Sequence, residues 1–345
     1  MLGTKIGFDL GSSLIVAYVE GKGIKINEPS VIAYDTFEDK LRAIGTEAYK
    51  MLGKNPDSLT VVQPISNGCI YDYDALEQMM CFFIQKICLN RIFKPNVVAC
   101  VPSKTSEIDK KSVVDLLISS GAARACIVEA PLAAALGAGI DMKNPGGILV
   151  VDIGGGTTDI AVVARGMVSA STSIEIGGNT FDERICRLMR REKNTIIGKA
   201  TAERVKKNIG AAKLLDAELA VRAIGKDYIT KLPRVTELTS TDIFLCIREQ
   251  LEKITDCIRQ LLAHIQPELV ADIMSNGMII TGGGAGIRGI DEYFGEKFNF
   301  KVKCASEPEL CVAKGLGMML DDIQMLEKNG YVFRSYADIT EFEES

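Results

Sequence analysis

Three short stretches have residue types suited to holding a phosphate. The first is Val150-Val151-Asp152-Ile153-Gly154-Gly155-Gly156-Thr157-Thr158-Asp159-Ile160-Ala161-Val162-Val163. An apolar strand ends in Asp152, three glycines and two threonines make a turn, and a second apolar strand follows. Glycines let a backbone come close to a bound group, and consecutive turn amides form a concave anion site. Thr157 and Thr158 add hydroxyl donors, and Asp152 is placed to hold a magnesium ion through water. Alone, this stretch also reads as an ordinary tight hairpin. A second copy changes the balance: Ile6-Gly7-Phe8-Asp9-Leu10-Gly11-Ser12-Ser13 follows the same plan, with the strand Leu14 to Val19 after it. A third glycine turn, Thr281-Gly282-Gly283-Gly284-Ala285-Gly286, closes another apolar strand. Two Asp-x-Gly hairpins far apart predict two related halves facing one ligand.

The bulk numbers narrow the classes. The chain has 345 residues, which suggests two domains or one bilobed unit. It is 47% hydrophobic and 25% charged, enough to bury a sizeable core. A net charge of -5 with no basic stripe argues against nucleic acid as a partner. The 10 cysteines include no CxxC pair, and several sit in apolar strands or amphipathic helices, which fits a reducing cytosol better than a disulfide framework. With a single histidine, His264, on a helical pattern, a zinc site and a Ser-His-Asp triad are both disfavoured. The first residues lead straight into a strand, so no signal peptide is expected. No apolar run approaches the ~18 residues of a membrane span.

The elements that position the turns follow from periodicity. Residues 5–19 alternate about the Asp9 hairpin, and Lys22 to Ala33 adds a strand pair. Residues 34–66 are more polar and read as a small inserted subdomain. Tyr73 to Asn90 has helical spacing. Its end, Arg91-Ile92-Phe93-Lys94, places two apolar residues between cations, which either dips into an anionic lipid surface or folds back on its own helix. Asn96 to Val101 is a buried strand, with Ser103 or Thr105 expected to cap the next helix. Ala122 to Val128 is a strand, followed by an alanine-rich helix to about Ala138. After the central hairpin, Ile174-Glu175-Ile176-Gly177-Gly178-Asn179 leads into a helix, and Thr201 to Gly210 is another. Residues 217–236 alternate like a strand pair, Asp242 to about Gln266 is a long amphipathic helix, and Glu309 to about Asn329 closes the pattern. The alternation of strands and helices predicts an α/β protein: two lobes, each with a mainly parallel sheet flanked by helices, leaving a cleft for a nucleotide.

These residues resemble the actin superfamily, which also holds sugar kinases and DnaK-type chaperones. Within it, Glu28-Pro29-Ser30, Gly154 to Thr158, Thr201-Ala202-Glu203-Arg204-Val205-Lys206, Leu232-Pro233-Arg234, Thr281-Gly282-Gly283-Gly284 and Cys311-Val312-Ala313-Lys314-Gly315 look like MreB segments in the same order. The resemblance runs from residue 5 to about 328. It implies an actin-like, ribonuclease H-like fold with lobe I core at 1–33, 67–146 and 312–345 and its small subdomain at 34–66. Lobe II core would take 147–181 and 241–311, with its small subdomain at 182–240. ATP or ADP with Mg2+ would sit between the lobes. Gly11, Ser12, Ser13 and Leu14 would lie beside the phosphates on one loop, and Gly154, Gly155, Gly156 and Thr157 on the other. Glu203 and Lys206 would reach ribose and base, unless they are simply a solvated helical pair. Gly282, Gly283, Gly284 and Ala285 would pack against adenine. Asp9 and Asp152 would orient the magnesium waters.

Hydrolysis needs a group that orients the attacking water. The family's glutamate corresponds to Asp109 here, one methylene shorter, with Thr158 as the second catalytic candidate, so slow turnover is expected. The resemblance further implies self-assembly into paired protofilaments, a cytoplasmic location at the inner face of the cell membrane, and wall-synthesis membrane proteins as partners. The segment Met1 to Thr4 is too short for an amphipathic helix, so membrane contact would rest on Ile92 and Phe93. Competing readings are a filament without significant turnover, a DnaK-like chaperone ATPase, which Gly177-Gly178-Asn179-Thr180-Phe181-Asp182 partly resembles, and a small-molecule kinase, for which no segment specifies a sugar pocket.

Overall fold

The structure is a computed structural model that describes every residue except 1, 2, 39, 55–57, 90–92, 322, 329 and 339–345, and every side chain of these except that of residue 325. The chain divides into two compact units. Residues 1–144, 166–168 and 310–345 make the first, and residues 145–165 and 169–309 make the second.

In the first unit the strand Lys5–Leu10 is central. It pairs antiparallel with Leu14–Val19 and parallel with Asn96–Val101. Gly23–Pro29 extends one side of the sheet, and Arg124–Glu129 then Arg334–Ser335 extend the other. The sheet is therefore mixed, because each hairpin forces an antiparallel pair beside the parallel strands. Ile6, Phe8, Ile15, Leu76, Met79, Phe83 and Leu116 are buried in one core beneath it. A three-stranded sheet of Lys40–Ile44, Ile32–Asp35 and Leu59–Val62 occupies the polar stretch where periodicity gave no clear element. On the sheet's other layer, helix Cys311–Asp321 crosses helix Ala130–Gly137 at backbone contact: a Cβ on Gly315 would lie 1.8 Å from the Ala133 oxygen, and one on Gly137 would lie 1.8 Å from the Cys311 oxygen.

The second unit repeats the plan. Its central strand Ile148–Ile153 pairs antiparallel with Thr158–Ala164 and parallel with Met278–Thr281, which pairs parallel with Val302–Cys304. Met167–Ile174 lies outside Thr158–Ala164, so the order around the hairpin matches that of the first unit. The long helix Ser240–His264 starts at a capping box between Thr239 and Asp242 and buries Ile243, Ile247, Leu251, Ile254 and Ile258, a spacing of three and four residues. A small sheet of Thr195–Ile196, Ala220–Asp227 and Pro233–Thr239 completes it.

The repetition reaches the small sheets. Asp35 accepts the amides of Phe37 and Glu38 at 3.0 and 3.1 Å and pairs with Arg42. Asp227 accepts those of Ile229 and Thr230 at 2.9 and 2.8 Å and pairs with Arg234. Both carboxyls are held below the usual range, Asp35 chiefly by Arg42 and Asp227 chiefly by the Thr230 amide. Each clamp holds an apolar side chain, Phe37 or Ile229, out in water.

Candidate functional site

The two aspartates sit at equivalent places. Asp9 faces Val16 across the hairpin and Cys100 on the neighbouring parallel strand. Asp152 faces Asp159 across its hairpin and Thr281 on its parallel neighbour. In each unit the neighbour donates to the carboxylate: Cys100 Sγ to Asp9 Oδ1 at 3.4 Å, and Thr281 Oγ1 to Asp152 Oδ1 at 2.7 Å. A thiol is the weaker donor. Burial accordingly pushes the Asp9 carboxyl up to about 6, against only the small opposing pull of the Cys100 thiol.

The turns also match. Gly11 N donates to Leu14 O at 3.1 Å, and Gly154 N donates to Thr157 O at 2.9 Å. Gly11 could not carry a side chain there, since a Cβ would meet the Leu14 oxygen at 2.6 Å. The Ser12 hydroxyl is buried and accepts from Gly68 N at 3.0 Å, leaving its own proton to donate; Ser13 O accepts from Ser30 N. Leu14 opens the return strand.

The second turn is braced from behind. Helix Gly178–Arg191 has no side-chain cap, and its first amides go to the turn instead: Gly178 N to Gly154 O at 2.9 Å and Asn179 N to Gly155 O at 2.8 Å. A trans peptide points its N–H opposite to its C=O. With the carbonyls of Gly154 and Gly155 on the helix, the amides of Gly155 and Gly156 point away from it, as a pair of donors on the open side. The Thr157 hydroxyl donates to Asp159 Oδ2 at 3.1 Å. Thr158 is fully buried, and its hydroxyl donates to Ile176 O at 2.6 Å, so its proton is committed to the backbone.

Around the turn, helix Lys199–Ile209 carries Glu203 and Lys206. They do not form a pair with each other in this structure. Glu203 pairs with Lys207 at 2.7 Å, whereas Lys206 Nζ donates to Gly178 O at 2.8 Å and to Asp182 Oδ2 at 2.9 Å. Burial raises the Asp182 carboxyl to about 6, although Lys206 pulls it down. The third glycine turn packs on the same hairpin. Gly282 has φ +76 and lies against the Ile153 oxygen, and a Cβ on Gly284 would lie 2.2 Å from Ile153 Cγ2. Gly283 differs: a Cβ there would meet nothing within 4 Å, so its backbone faces open space. Ala285 is buried beside it. Arg288 N donates to Gly210 O at 3.1 Å, tying this turn to the end of the Glu203 helix. The second unit thus brings together Asp152, Gly154 to Thr157, Lys206, the helix of Glu203, and Gly282 to Ala285.

Asp109 lies in the first unit on helix Glu107–Ser119. The cap of that helix is Ser106, one residue beyond the expected Thr105, whose hydroxyl turns back to Pro102 O. Asp109 is tied to that cap: its amide donates to Ser106 Oγ at 3.1 Å, and Ser106 Oγ donates to Asp109 Oδ2 at 2.6 Å. Phe93 is 53% exposed, and Ile92 lies outside the described residues. Sequence reading missed Cys100, Asp159 and Asp182. The carboxylates had a signal, as acidic residues inside apolar strand and helix patterns; the thiol had none, because its role depends on strand register. No group of three or more His, Cys, Asp or Glu among the described residues is placed to hold a metal ion. No helix among them is long and apolar enough to cross a membrane.

Two hairpin-led sheets of one order, each with an aspartate before a tight turn, define an actin-like fold. The structure superposes on MreB5 of Spiroplasma citri bound to ADP with a TM-score of 0.91 at 36% identity, covering 95% of this chain and 99% of that one. The form of that protein bound to AMPPNP gives the same TM-score of 0.91. A MamK double helical filament, 21% identical, matches with a TM-score of 0.80 and so shares the fold. In sequence, the cell shape-determining protein Mbl of Bacillus subtilis is 38% identical over 95% of this chain and 99% of its own length. The cell shape-determining protein MreB of Escherichia coli is 36% identical over 94% and 95%. The MreB/Mbl protein family profile matches residues 3–328, and the chain belongs to that family.

Proposed function

We propose that this protein binds ATP and ADP with Mg2+, polymerises with ATP into paired protofilaments on the inner face of the cell membrane, and guides cell shape and wall synthesis with slow ATP hydrolysis. The observation that supports it best is the pair of matched turns, each behind an aspartate, Asp152 buried and Asp9 half-buried. Relatives named as cell shape-determining proteins and neighbours solved with ADP and AMPPNP point the same way.

In this reading the amides of Gly155 and Gly156 and the turn Gly11 to Leu14 hold phosphate oxygens, which anion-binding turns do without side-chain charge. Glu203 accepts from the ribose, and the bare backbone at Gly283 lets adenine stack. Asp9 and Asp152 fit a hard, largely hydrated cation: both are carboxylates, and Asp9 gains from a nearby positive charge because its own surroundings disfavour the anion. The magnesium supplies charge neutralisation at the phosphates. Asp109 orients the attacking water, and Thr158, with its proton on Ile176 O, shapes the turn rather than donating to substrate.

A second reading, a nucleotide-binding filament with little turnover, is favoured by one contact: the Asp109 carboxylate is already held by Ser106 at its own helix cap. Phosphate release from pelleted filaments tests both. Asp109→Glu should hydrolyse faster than the wild type by roughly tenfold or more, since a side chain displaced by about 1 Å can cost about a hundredfold. Asp109→Ala should lose what activity remains. Equal rates in all three proteins would remove Asp109 from the mechanism.

A further inference from the structure

The Lys206–Asp182 pair is placed against ordinary electrostatics. Lys206 comes from helix Lys199–Ile209, yet its ammonium rests on the first turn of helix Gly178–Arg191, the positive end of that helix dipole. Both side chains are mostly buried, at 13% and 7% exposure. A cation there is unfavourable, and burying it adds a desolvation cost. Asp182 offsets part of this through Oδ2, while its Oδ1 meets no hydrogen-bond partner. An arrangement this costly is not a packing convenience.

What it holds is the start of the helix that braces the turn. Lys206 fixes the Gly178 carbonyl, and the amides of Gly178 and Asn179 fix the carbonyls of Gly154 and Gly155. Those carbonyls set the direction of the Gly155 and Gly156 amides. Space is tight along this line: a Cβ on Gly178 would lie 3.0 Å from Lys206 Nζ, and one on Gly177 would lie 2.7 Å from the oxygens of Gly154 and Gly155. From Nζ to the turn amides the connection is continuous and made of short hydrogen bonds. The ammonium, for its part, gives two of its three N–H donors to Asp182 and Gly178.

We propose that Lys206 and Asp182 are positioning residues for the phosphate turn, setting the aim of its amides, rather than contacts to ribose or base. This rests on the reading of residues 154–157 as the phosphate turn. The pair also registers the helix of Glu203 against that turn, so the two ends of a nucleotide are held at one spacing.

Binding of three probes to the full chain, ATP, ADP and adenosine, separates the possibilities. Lys206→Met should weaken ATP and ADP by about tenfold or more and adenosine by less than about twofold, because only the phosphates meet the turn. Gly178→Ala leaves the lysine in place but pushes on its ammonium, and should give the same pattern more mildly. It keeps the test decisive if Lys206→Met folds poorly. Hydrogen exchange at the Gly178 and Asn179 amides should quicken in both variants. If adenosine weakens as much as ADP, Lys206 touches the nucleoside and the proposal fails. Unchanged affinity for all three probes would also overturn it. A wild-type protein that binds none of the three would instead defeat the nucleotide reading.

Discussion

A carboxyl largely shielded from water beside one thiol donor is a poor place for negative charge, and Asp9 is in that position. Its folded pKa, raised to about 6, lies above the unfolded value near 4. The folded state therefore binds more protons between these pH values, and stability from this group falls as pH rises through the window. The cost is present above about pH 6 and is relieved as pH falls toward 4. Asp9→Asn should thus stabilise the free protein by on the order of 1–3 kcal/mol at pH 7.5. The gain should shrink at pH 4.5, as read by urea midpoints, and added Mg2+ and ATP should protect the variant less than the wild type. An equal gain at both pH values would show that the charge is not the cause. Asp9 itself was legible from its turn, because a glycine hairpin is a local event. Its partner Cys100 was not: a donor 91 residues away is fixed by strand register.

At the scale of elements, the crossing of helices Ala130–Gly137 and Cys311–Asp321 depends on two missing side chains. Alanine is the better helix former by about 1 kcal/mol, so Gly315→Ala would stabilise an isolated helix. Here the methyl would lie 1.8 Å from the Ala133 oxygen, and neither backbone can yield cheaply. The clash should win, with a net loss of about 3 kcal/mol or more, measured by denaturant melting. A neutral or stabilising result would mean that the helices can separate at small cost. The same contrast governs what could be foreseen. Hairpins, the long helix at 240–264 and the glycine turns follow from neighbours in sequence. The Ser106 cap was missed because three hydroxyl residues compete within four positions. The strand Arg334–Ser335 was missed because two residues show no period, and it exists only through pairing with Arg124 and Ala125. Lys206 was read with Glu203 because helical spacing says nothing of a carboxylate on another helix.

At the scale of the molecule, surface chemistry sets the partners. The proposed membrane contact calls for a local apolar feature on a chain whose net charge is -5. Phe93 is the candidate, exposed and next to Lys94, with Ile92 beside it in sequence. Replacing both, Ile92→Ser with Phe93→Ser, should abolish pelleting with anionic liposomes while filaments still form with ATP. Wild-type levels of liposome binding would rule the tip out.

The second unit is an insertion in the first: residues 145–165 and 169–309 interrupt a unit that resumes at residue 310. The strand Lys5–Leu10 is covered by Leu316, which packs on Gly7. During synthesis the middle of the polypeptide can finish its own core while the strand Lys5–Leu10 still waits for helix Cys311–Asp321, encoded some three hundred codons later. A pause in synthesis anywhere between residues 29 and 311 therefore leaves the Gly7 face of this strand without its Leu316 cover.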